Sequence, residues 1–145
     1  MRVLVQRCTR AEVSVDNKIV GKIGNGLMLL VGFTEGDTEK NIDYLVDKVI
    51  NLRILDDEAG VMNKSLIDVG GSILSVSQFT LYADTTKGRR PSYAKALSGN
   101  LAKKLYDEFN EKLKTKNIKI ETGIFGADMK VDFINNGPVT ILLEK

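Results

Sequence analysis

The sequence feature that most constrains this fold is the apolar run from Gly26 to Phe33, GLMLLVGF. A glycine-asparagine turn precedes the run at Gly24-Asn25. Its eight residues are far fewer than the roughly 20 needed to cross a bilayer, and continuous apolarity over this length is typical of a strand covered on both faces. We therefore expect a central strand inside a layered protein, and no membrane-spanning segment.

Alternating apolar residues surround this central run. Val3 and Val5, and later Val13 and Val15, recur with the period of two that strands show. This pattern predicts two strands before the turn at Asp16-Asn17, and a third, KIVGKI, after it. Together with the central run, these strands predict an antiparallel meander.

Two later segments carry the three-and-four spacing of amphipathic helices. The first is predicted to begin after Asp37 or Thr38 and the second after Ser98, because these side chains can cap a helix. The apolar positions are Ile42, Leu45, Val46, Val49 and Ile50 in the first helix, and Leu101, Leu105, Phe109 and Leu113 in the second. Each helix is expected to pack this face on the sheet.

The remaining segments predict turns and further strands. Residues 53–72 suggest a hairpin and a turn, and SILSVSQFTLYA after them predicts a strand that ends near Asp84. Two last strands are predicted over 118–122 and 129–143, the second interrupted by NNGP at 135–138.

These elements together define the expected fold class. A chain of 145 residues can bury roughly two-thirds of its unfolded surface, so we predict one domain over residues 1–145. Strand groups separated by two helices predict an α+β fold, with a curled antiparallel or mixed sheet, barrel-like and covered by two main helices.

The absence of histidine narrows the chemistry available to the chain. No Ser-His-Asp or Cys-His triad is possible, and the commonest zinc ligand is missing. The single cysteine, Cys8, lies in an apolar alternation and is expected to pack in the core. A net charge of +2 exerts little attraction on polyanions, so nucleic-acid binding would need a local patch. We expect no metal and no cofactor.

Three segments combine residues that could carry chemistry. SVSQFTL at 75–81 predicts either a half-exposed edge strand or a strand end whose N–H groups and hydroxyls hold an oxyanion. NNGPVT at 135–140 places a proline where a ladder needs a donor, so the chain must bend or form an edge there. The loop TTKGRRPSY at 85–93 fits either a solvated loop or contacts with RNA phosphates.

Four fragments, in this order, resemble the D-aminoacyl-tRNA deacylase family along essentially the whole chain: VQRC, SQFTLYAD, KGRRPSY and GIFGADMKVDFINNGPVT. The family's S-Q-x-T signature appears as Ser77-Gln78-Phe79-Thr80, and its N-x-G-P-x-T signature appears at 135–140. Tyr93 stands where phenylalanine is common in the family. A related editing paralogue differs at the S-Q-F-T position, so this motif favours the chirality-checking branch.

The resemblance implies a cytoplasmic homodimeric hydrolase that removes D-amino acids, and by family habit glycine, from mischarged tRNA. It implies a cis bond between Gly137 and Pro138, and a site shared across the dimer interface. The Gly137-Pro138 dipeptide of one chain would enter the other chain's pocket, hold the substrate's α-ammonium with its carbonyls and exclude an L side chain. Arg7 is expected to brace those carbonyls.

The resemblance also assigns catalytic roles. Ser77, Gln78, Phe79 and Thr80 would lie against the ester, with the N–H groups of Phe79 and Thr80 stabilising the oxyanion and Gln78 positioning the reactants. Two mechanisms stay open, because no residue can obviously deprotonate Thr80. Either Thr80 attacks the ester, or it orients a water that the RNA's own 2′-hydroxyl assists, which is the mechanism we favour.

The remaining predicted contacts concern the RNA. Phe125 and Met129 are expected to border the terminal adenosine, and Lys87, Arg89 and Arg90 are expected to contact tRNA. Two rival functions use the same features: a noncatalytic RNA-binding module built on the basic loop, and a small-ester hydrolase with a threonine nucleophile. Base-stacking aromatic residues near the loop are few, which argues against the first rival.

Overall fold

The computed structural model describes all residues from 1 to 145, and a six-stranded mixed sheet forms its centre. The strands are β1 (Arg2–Val15), β2 (Lys18–Ile23), β3 (Gly26–Gly32), β4 (Leu55–Asp56), β5 (Met62–Lys64), β6 (Ser72–Ser77), β7 (Ile120–Thr122) and β8 (Lys130–Glu144). The helices are α1 (Glu39–Asn51), α2 (Leu66–Val69) and α3 (Gly99–Lys114), and a 3₁₀ turn spans Phe79–Tyr82. Strands β4 and β5 form a separate hairpin.

Strand β1 organises the sheet because it pairs along both edges. Its first half pairs with β3 and its second half with β2, while β8 runs antiparallel to it on the other edge. The predicted meander is therefore wrong, since β2 and β3 both pair with β1 and not with each other. The prediction of two strands before Asp16 is also wrong, because β1 is continuous.

The side chains of β1 change from one core to another part-way along the strand, which explains why the pattern predicted two strands. Val3 and Val5 are buried in the main hydrophobic core, whereas Cys8, Ala11 and Val13 are buried in a second, smaller core. The register against β8 shifts twice between Gln6 and Ala11, as a bulge requires. The break in the apolar alternation therefore marks a bulge that turns one strand from the first core to the second.

The sheet curls until its two ends nearly meet. Strands β3, β6 and β7 run parallel, and β2, which pairs with the second half of β1, also lies against β7. A Cβ atom on Gly21 would lie 2.9 Å from the backbone oxygen of Thr122, so glycine permits this approach. The predicted barrel-like mixed sheet is confirmed.

Two hydrophobic cores hold the layers together. The larger lies between the sheet and the helices, and it contains the buried faces of α1 and α3. The smaller fills the inside of the curled sheet and includes Cys8, Leu74 and Val76. Burial raises the pKa of the Cys8 thiol to about 11, in keeping with its predicted packing role.

The end of β6 differs from the prediction and shapes the candidate site. The predicted strand to Asp84 stops at Ser77, and the chain turns into the 3₁₀ segment. Its partner β3 ends at Gly32, so no ladder is available beyond this point. A Cβ atom on Gly32 would lie 2.8 Å from the backbone oxygen of Gln78, because the chain crosses closely over that glycine.

The helices follow the predicted patterns with two exceptions. Helix α1 is capped by Thr38 and α3 begins after Ser98, as predicted. Leu101 is exposed rather than packed on the sheet, and the one-turn helix α2, capped by Ser65, was not predicted. No helix is long and apolar enough to cross a membrane.

Candidate active site

A pocket of about 360 Å³ opens where β6 ends. Its walls come from the end of β3, the turn after β6, the start of α3 and the segment after β7. Residues that line it include Gly32, Ser77, Gln78, Phe79, Ser98, Ala102, Phe125 and Met129. The pocket is mainly apolar, with polar groups concentrated at the β6 end.

The turn after β6 leaves two backbone donors unused. The Gln78 N–H donates to the Val31 oxygen at 2.7 Å, which is the last bond along this edge of β3. The N–H groups of Phe79 and Thr80 are the first two of the 3₁₀ segment, whose bonds begin with the Leu81 N–H on the Gln78 oxygen, so neither has an acceptor within the segment. Because backbone donors beside a pocket are normally paired, two free ones can serve a bound oxygen atom.

The Gln78 side chain fixes the hydroxyl of Thr80. Its Nε2 donates to Thr80 Oγ1 at 2.5 Å, so the threonine oxygen acts as an acceptor in this contact. No carboxylate or amine contacts that hydroxyl, and the chain contains no histidine to do so. Thr80 is therefore held in place, without a neighbouring base to activate it.

Arg2 holds the turn from its outer side. Its Nη1 donates to the Leu81 oxygen at 2.8 Å, and its guanidinium lies 4.5 Å from the ring centre of Tyr82. Burial raises the pKa of the Tyr82 phenol to about 12, so this ring stays neutral at physiological pH. These contacts fix the carboxyl end of the same turn that carries the free donors.

Tyr106 supports the opposite wall. Its hydroxyl donates to the Ser75 oxygen at 2.8 Å, and the Gly123 N–H donates to that same oxygen at 3.0 Å. The Tyr106 ring packs against Phe125, with ring centres 5.9 Å apart. Burial raises the pKa of the Tyr106 hydroxyl, which remains a donor. Helix α3, β6 and the pocket wall at Phe125 thus meet at one carbonyl.

The segment Asn136–Val139 lies away from this pocket. In the pairing of β1 with β8, Gln6 faces Thr140 and the next pair is Cys8 with Asn135. The four residues 136–139 therefore stand opposite one residue of β1, Arg7. The segment therefore protrudes from the sheet edge, and the Gly137-Pro138 bond within it is cis. None of its residues lines the pocket of its own chain.

Arg7 anchors this protruding segment. It is 7% exposed, and its Nε donates to the Asn136 oxygen at 3.0 Å. Its Nη1 donates to the Ile54 oxygen at 3.0 Å and to Asp56 at 2.7 Å. Within one chain, the carbonyl that Arg7 holds belongs to Asn136, directly before the Gly137-Pro138 dipeptide.

The basic loop is closed at its base and free at its tip. Asp84 and Ser92 exchange two backbone hydrogen bonds of 2.8 and 2.9 Å. Hydrogen bonds from Thr86, together with the nearby ammonium of Lys95, lower the pKa of Asp84 to about 2. The exposed cations Lys87, Arg89 and Arg90 form no ion pair within the chain.

Comparison with known proteins identifies the family. The family model described as D-Tyr-tRNA(Tyr) deacylase matches residues 4–144. The chain belongs to this family. A D-aminoacyl-tRNA deacylase of Limosilactobacillus reuteri is 56% identical over all of both chains. One from Thermosipho africanus is 54% identical, over 99% of this chain and 97% of that protein.

Solved structures agree with the architecture of this deacylase-family chain. The structure described as c-Myc DNA Unwinding Element Binding Protein has a TM-score of 0.94 and 41% identity, covering 100% of this chain and 99% of that one. A probable eukaryotic D-amino acid tRNA deacylase superposes with a TM-score of 0.85 at 20% identity, over 98% of this chain and 97% of that one. The second similarity supports the fold alone.

Within one deacylase-family chain, only part of the predicted site comes together. Ser77, Gln78, Phe79, Phe125 and Met129 line one pocket. The residues outside its lining are Thr80, Arg7, Gly137, Pro138, Lys87, Arg89 and Arg90.

Sequence reasoning missed Arg2 and Tyr106, which fix opposite walls of the pocket. Both act over long separations in the chain, 79 residues for the Arg2–Leu81 contact and 31 for the Tyr106–Ser75 contact. The only available signal was a tyrosine on the apolar face of a predicted helix. No group of three or more Cys, Asp or Glu side chains lies close enough to hold a metal ion.

Proposed function

We propose that this chain hydrolyses the ester that joins a D-amino acid to the 3′-terminal adenosine of tRNA, releasing the free D-amino acid and tRNA. The observation that carries the proposal is the pair of free N–H groups at Phe79 and Thr80, beside a pocket in a chain of the deacylase family. The resemblance to the family also makes glycyl-tRNA a second proposed substrate. The reaction would take place in the cytoplasm, where tRNA is charged.

The two donors would stabilise the negative charge that develops on the ester oxygen. Loss of one such donor in other hydrolases costs about 10² to 10³ in rate, so a pair can supply much of the catalysis without histidine. An aminoacyl ester is itself an activated substrate. Gly32 supports this role because only glycine permits the turn to pass so closely over β3.

Water is the nucleophile in this proposal, assisted by the 2′-hydroxyl of the RNA. Thr80 already accepts a hydrogen bond from Gln78, and no base contacts it. We expect a Thr80→Ala enzyme to keep most of its rate. An acyl-threonine trapped during turnover would contradict this mechanism and support direct attack by Thr80.

The complete site would be shared between two copies of the chain. Strand β8 pairs on only one edge, and it exposes the apolar side chains of Ile134 and Leu142. The Gly137-Pro138 dipeptide protrudes from this strand, away from its own pocket. Insertion into the partner's pocket would place its carbonyls against the α-ammonium and exclude an L side chain.

The substrate's RNA would be bound at the pocket and at the basic loop. Phe125 and Met129 offer an apolar wall for the terminal adenosine. Lys87, Arg89 and Arg90, which have no carboxylate partners, would neutralise phosphates of the acceptor end. Replacing any one of these cations by a neutral side chain should reduce the number of counterions released on binding by about one. The dissociation constant should then depend less steeply on salt concentration.

The test is the rate at which the purified protein deacylates D-tyrosyl-tRNA and L-tyrosyl-tRNA, without added metal. Rapid loss of the D form alone is expected. Equal loss of both forms would favour a general esterase, and tRNA binding without hydrolysis would favour a noncatalytic RNA-binding module. A free D-tyrosine ester provides the control, since a small-ester hydrolase would turn it over as fast as the tRNA.

A further inference from the structure

Two exposed aromatic rings stand at the mouth of the pocket. The ring centres of Phe79 and Tyr93 lie 5.1 Å apart, and their planes meet at 73°. Phe79 is 53% exposed and Tyr93 is 42% exposed, although aromatic side chains gain most when they are buried. In a T-shaped pair neither ring covers both faces of the other, so flat aromatic surface remains open to solvent.

The aromatic pair lies between the pocket and the basic loop. Phe79 lines the pocket, whereas Tyr93 lies outside its lining. Tyr93 directly follows Ser92, which closes the loop against Asp84. A strand of RNA whose last nucleotide occupies the pocket would therefore leave it past these rings, towards the cations of the loop.

The charge around the rings selects the kind of occupant. Lys87, Arg89 and Arg90 form no ion pairs, and the nearby carboxylate of Asp84 already contacts Lys95 at 3.3 Å. A second protein chain on this surface would bury cations for which this chain supplies no partner. An unpaired nucleobase offers a flat face for the rings, and its phosphate offers the missing negative charge.

We propose that the Phe79–Tyr93 pair is a stacking platform for the nucleobase that precedes the terminal adenosine of the tRNA. This inference rests on the proposed function and extends it by one nucleotide. A base stacked on an aromatic side chain contributes mainly to binding, whatever its sequence, because every base has a flat face. The platform would hold the acceptor end while the ester reacts in the pocket.

The experiment compares Tyr93→Ala with the wild-type enzyme on D-tyrosyl-tRNA and on the D-tyrosyl ester of free adenosine, which lacks the preceding nucleotide. For the tRNA we expect KM to rise by about 5- to 150-fold, the range typical of removing one stacked aromatic ring, with little change in kcat. For the adenosine ester we expect no change. Tyr93→Phe keeps the ring and should behave as wild type on both substrates.

A tRNA with an abasic penultimate nucleotide isolates the stacking interaction. On this substrate the wild-type KM should rise to that of Tyr93→Ala, and the two enzymes should no longer differ. Equal losses on the tRNA and the adenosine ester would overturn the proposal, because Tyr93 would then shape the pocket. A lower molar mass of Tyr93→Ala by light scattering would also overturn it, by assigning the rings to a protein interface.

Binding of uncharged tRNA separates this inference from the proposed function. The dissociation constant should rise in Tyr93→Ala by the same factor as KM. If the wild-type protein binds tRNA through Tyr93 but hydrolyses no ester, the hydrolase proposal fails and the platform stands. If hydrolysis is normal and Tyr93→Ala binds as tightly as wild type, the platform is contradicted and the hydrolase proposal stands.

Discussion

The segments Ser77–Thr80 and Asn136–Val139 both leave a β-ladder, yet their surroundings differ. The first turns inward under the start of α3, where Val31 accepts a hydrogen bond from Gln78 and Arg2 holds the Leu81 oxygen directly after the segment. The second protrudes from an edge strand, where Arg7 holds one of its carbonyls. One segment is enclosed by its own chain, and the other is exposed at the edge of the sheet. We infer that the two belong to one site built from two chains.

The largest effect is expected from Gly32→Ala, which attacks the inward segment. The added Cβ would lie 2.8 Å from the Gln78 oxygen and 3.3 Å from the Leu81 Cβ, so the turn must move. Displacing one oxyanion donor should reduce kcat on D-tyrosyl-tRNA by about 10² to 10³. Gly24→Ala is the matched control, because its Cβ would meet nothing within 4 Å. Unchanged kcat in a folded Gly32→Ala enzyme would remove the turn from the mechanism.

Arg7→Met should disturb the protruding segment without touching the pocket. The change leaves the carbonyls of Asn136 and Ile54 without their donor, at a cost of about 1 to 3 kcal/mol in stability. We expect the ratio of D to L hydrolysis to fall about tenfold, a size typical of removing one buried hydrogen bond.

The control for Arg7→Met is Arg10→Met on the same strand. Arg10 contacts Asp132 in an exposed pair, and its loss should cost less than about 0.5 kcal/mol. Rates on D- and L-tyrosyl-tRNA and chemical unfolding measure both effects. A D-to-L ratio that survives in Arg7→Met would mean that the segment holds its position without this side chain.

A smaller effect is expected from Tyr106→Phe, which leaves the ring on Phe125 and removes the hydroxyl. The Ser75 oxygen keeps its hydrogen bond from the Gly123 N–H. Removing the Tyr106 hydroxyl should therefore cost only about 1 kcal/mol of interaction free energy. Because the wall at Phe125 is proposed to border adenosine, KM should rise about fivefold while kcat stays constant. An equal fall in kcat would instead link Tyr106 to the reacting end of the pocket.

The smallest effect concerns the base of the loop beside the aromatic pair. Contacts with Thr86 and Lys95 lower the pKa of Asp84 to about 2, below the roughly 3.9 of an unfolded aspartate. A lowered pKa means that these contacts stabilise the folded loop above about pH 4 and lose that contribution as the pH falls towards about 2. The amide resonance of Thr86 should therefore titrate near pH 2. A midpoint near 4 would show that the contacts do not form in solution.

Sequence patterns predicted the parts of this molecule that depend on local periodicity. The buried faces of both helices, the Thr38 cap and the apolar run of β3 follow from residue spacing. The S-Q-x-T motif also selected a segment that lines the pocket. What the patterns missed depends on the ends of neighbouring strands. The alternation of side chains continues in the sequence from Ser75 to Leu81. Strand β6 nevertheless ends at Ser77, because its partner β3 ends at Gly32 and offers no further hydrogen bonds.

Local sequence patterns also missed the features of the site that depend on residues distant in the chain. Arg2 and Tyr106 act on carbonyls far away in sequence, which no local pattern indicates. The break in alternation near Cys8 has two local explanations, a strand end or a bulge, and only pairing with β8 distinguishes them. The separation of Gly137 from the pocket depends on which edge of β1 receives β8, which the sequence does not specify.

Mixing two inactive variants tests most directly whether one site is built from two chains. Gly32→Ala damages the pocket. Gly137→Ala should abolish turnover by displacing the carbonyls proposed to hold the α-ammonium, because the φ of +121° disfavours a side chain and the added Cβ would lie 2.8 Å from Val139 Cγ2. In a twofold dimer, subunit exchange creates mixed dimers with one intact site each. A mixture unfolded and refolded together should regain about a quarter of wild-type D-tyrosyl-tRNA hydrolysis. If it remains as inactive as its components, each chain must build its site alone, and a site shared between two chains is contradicted.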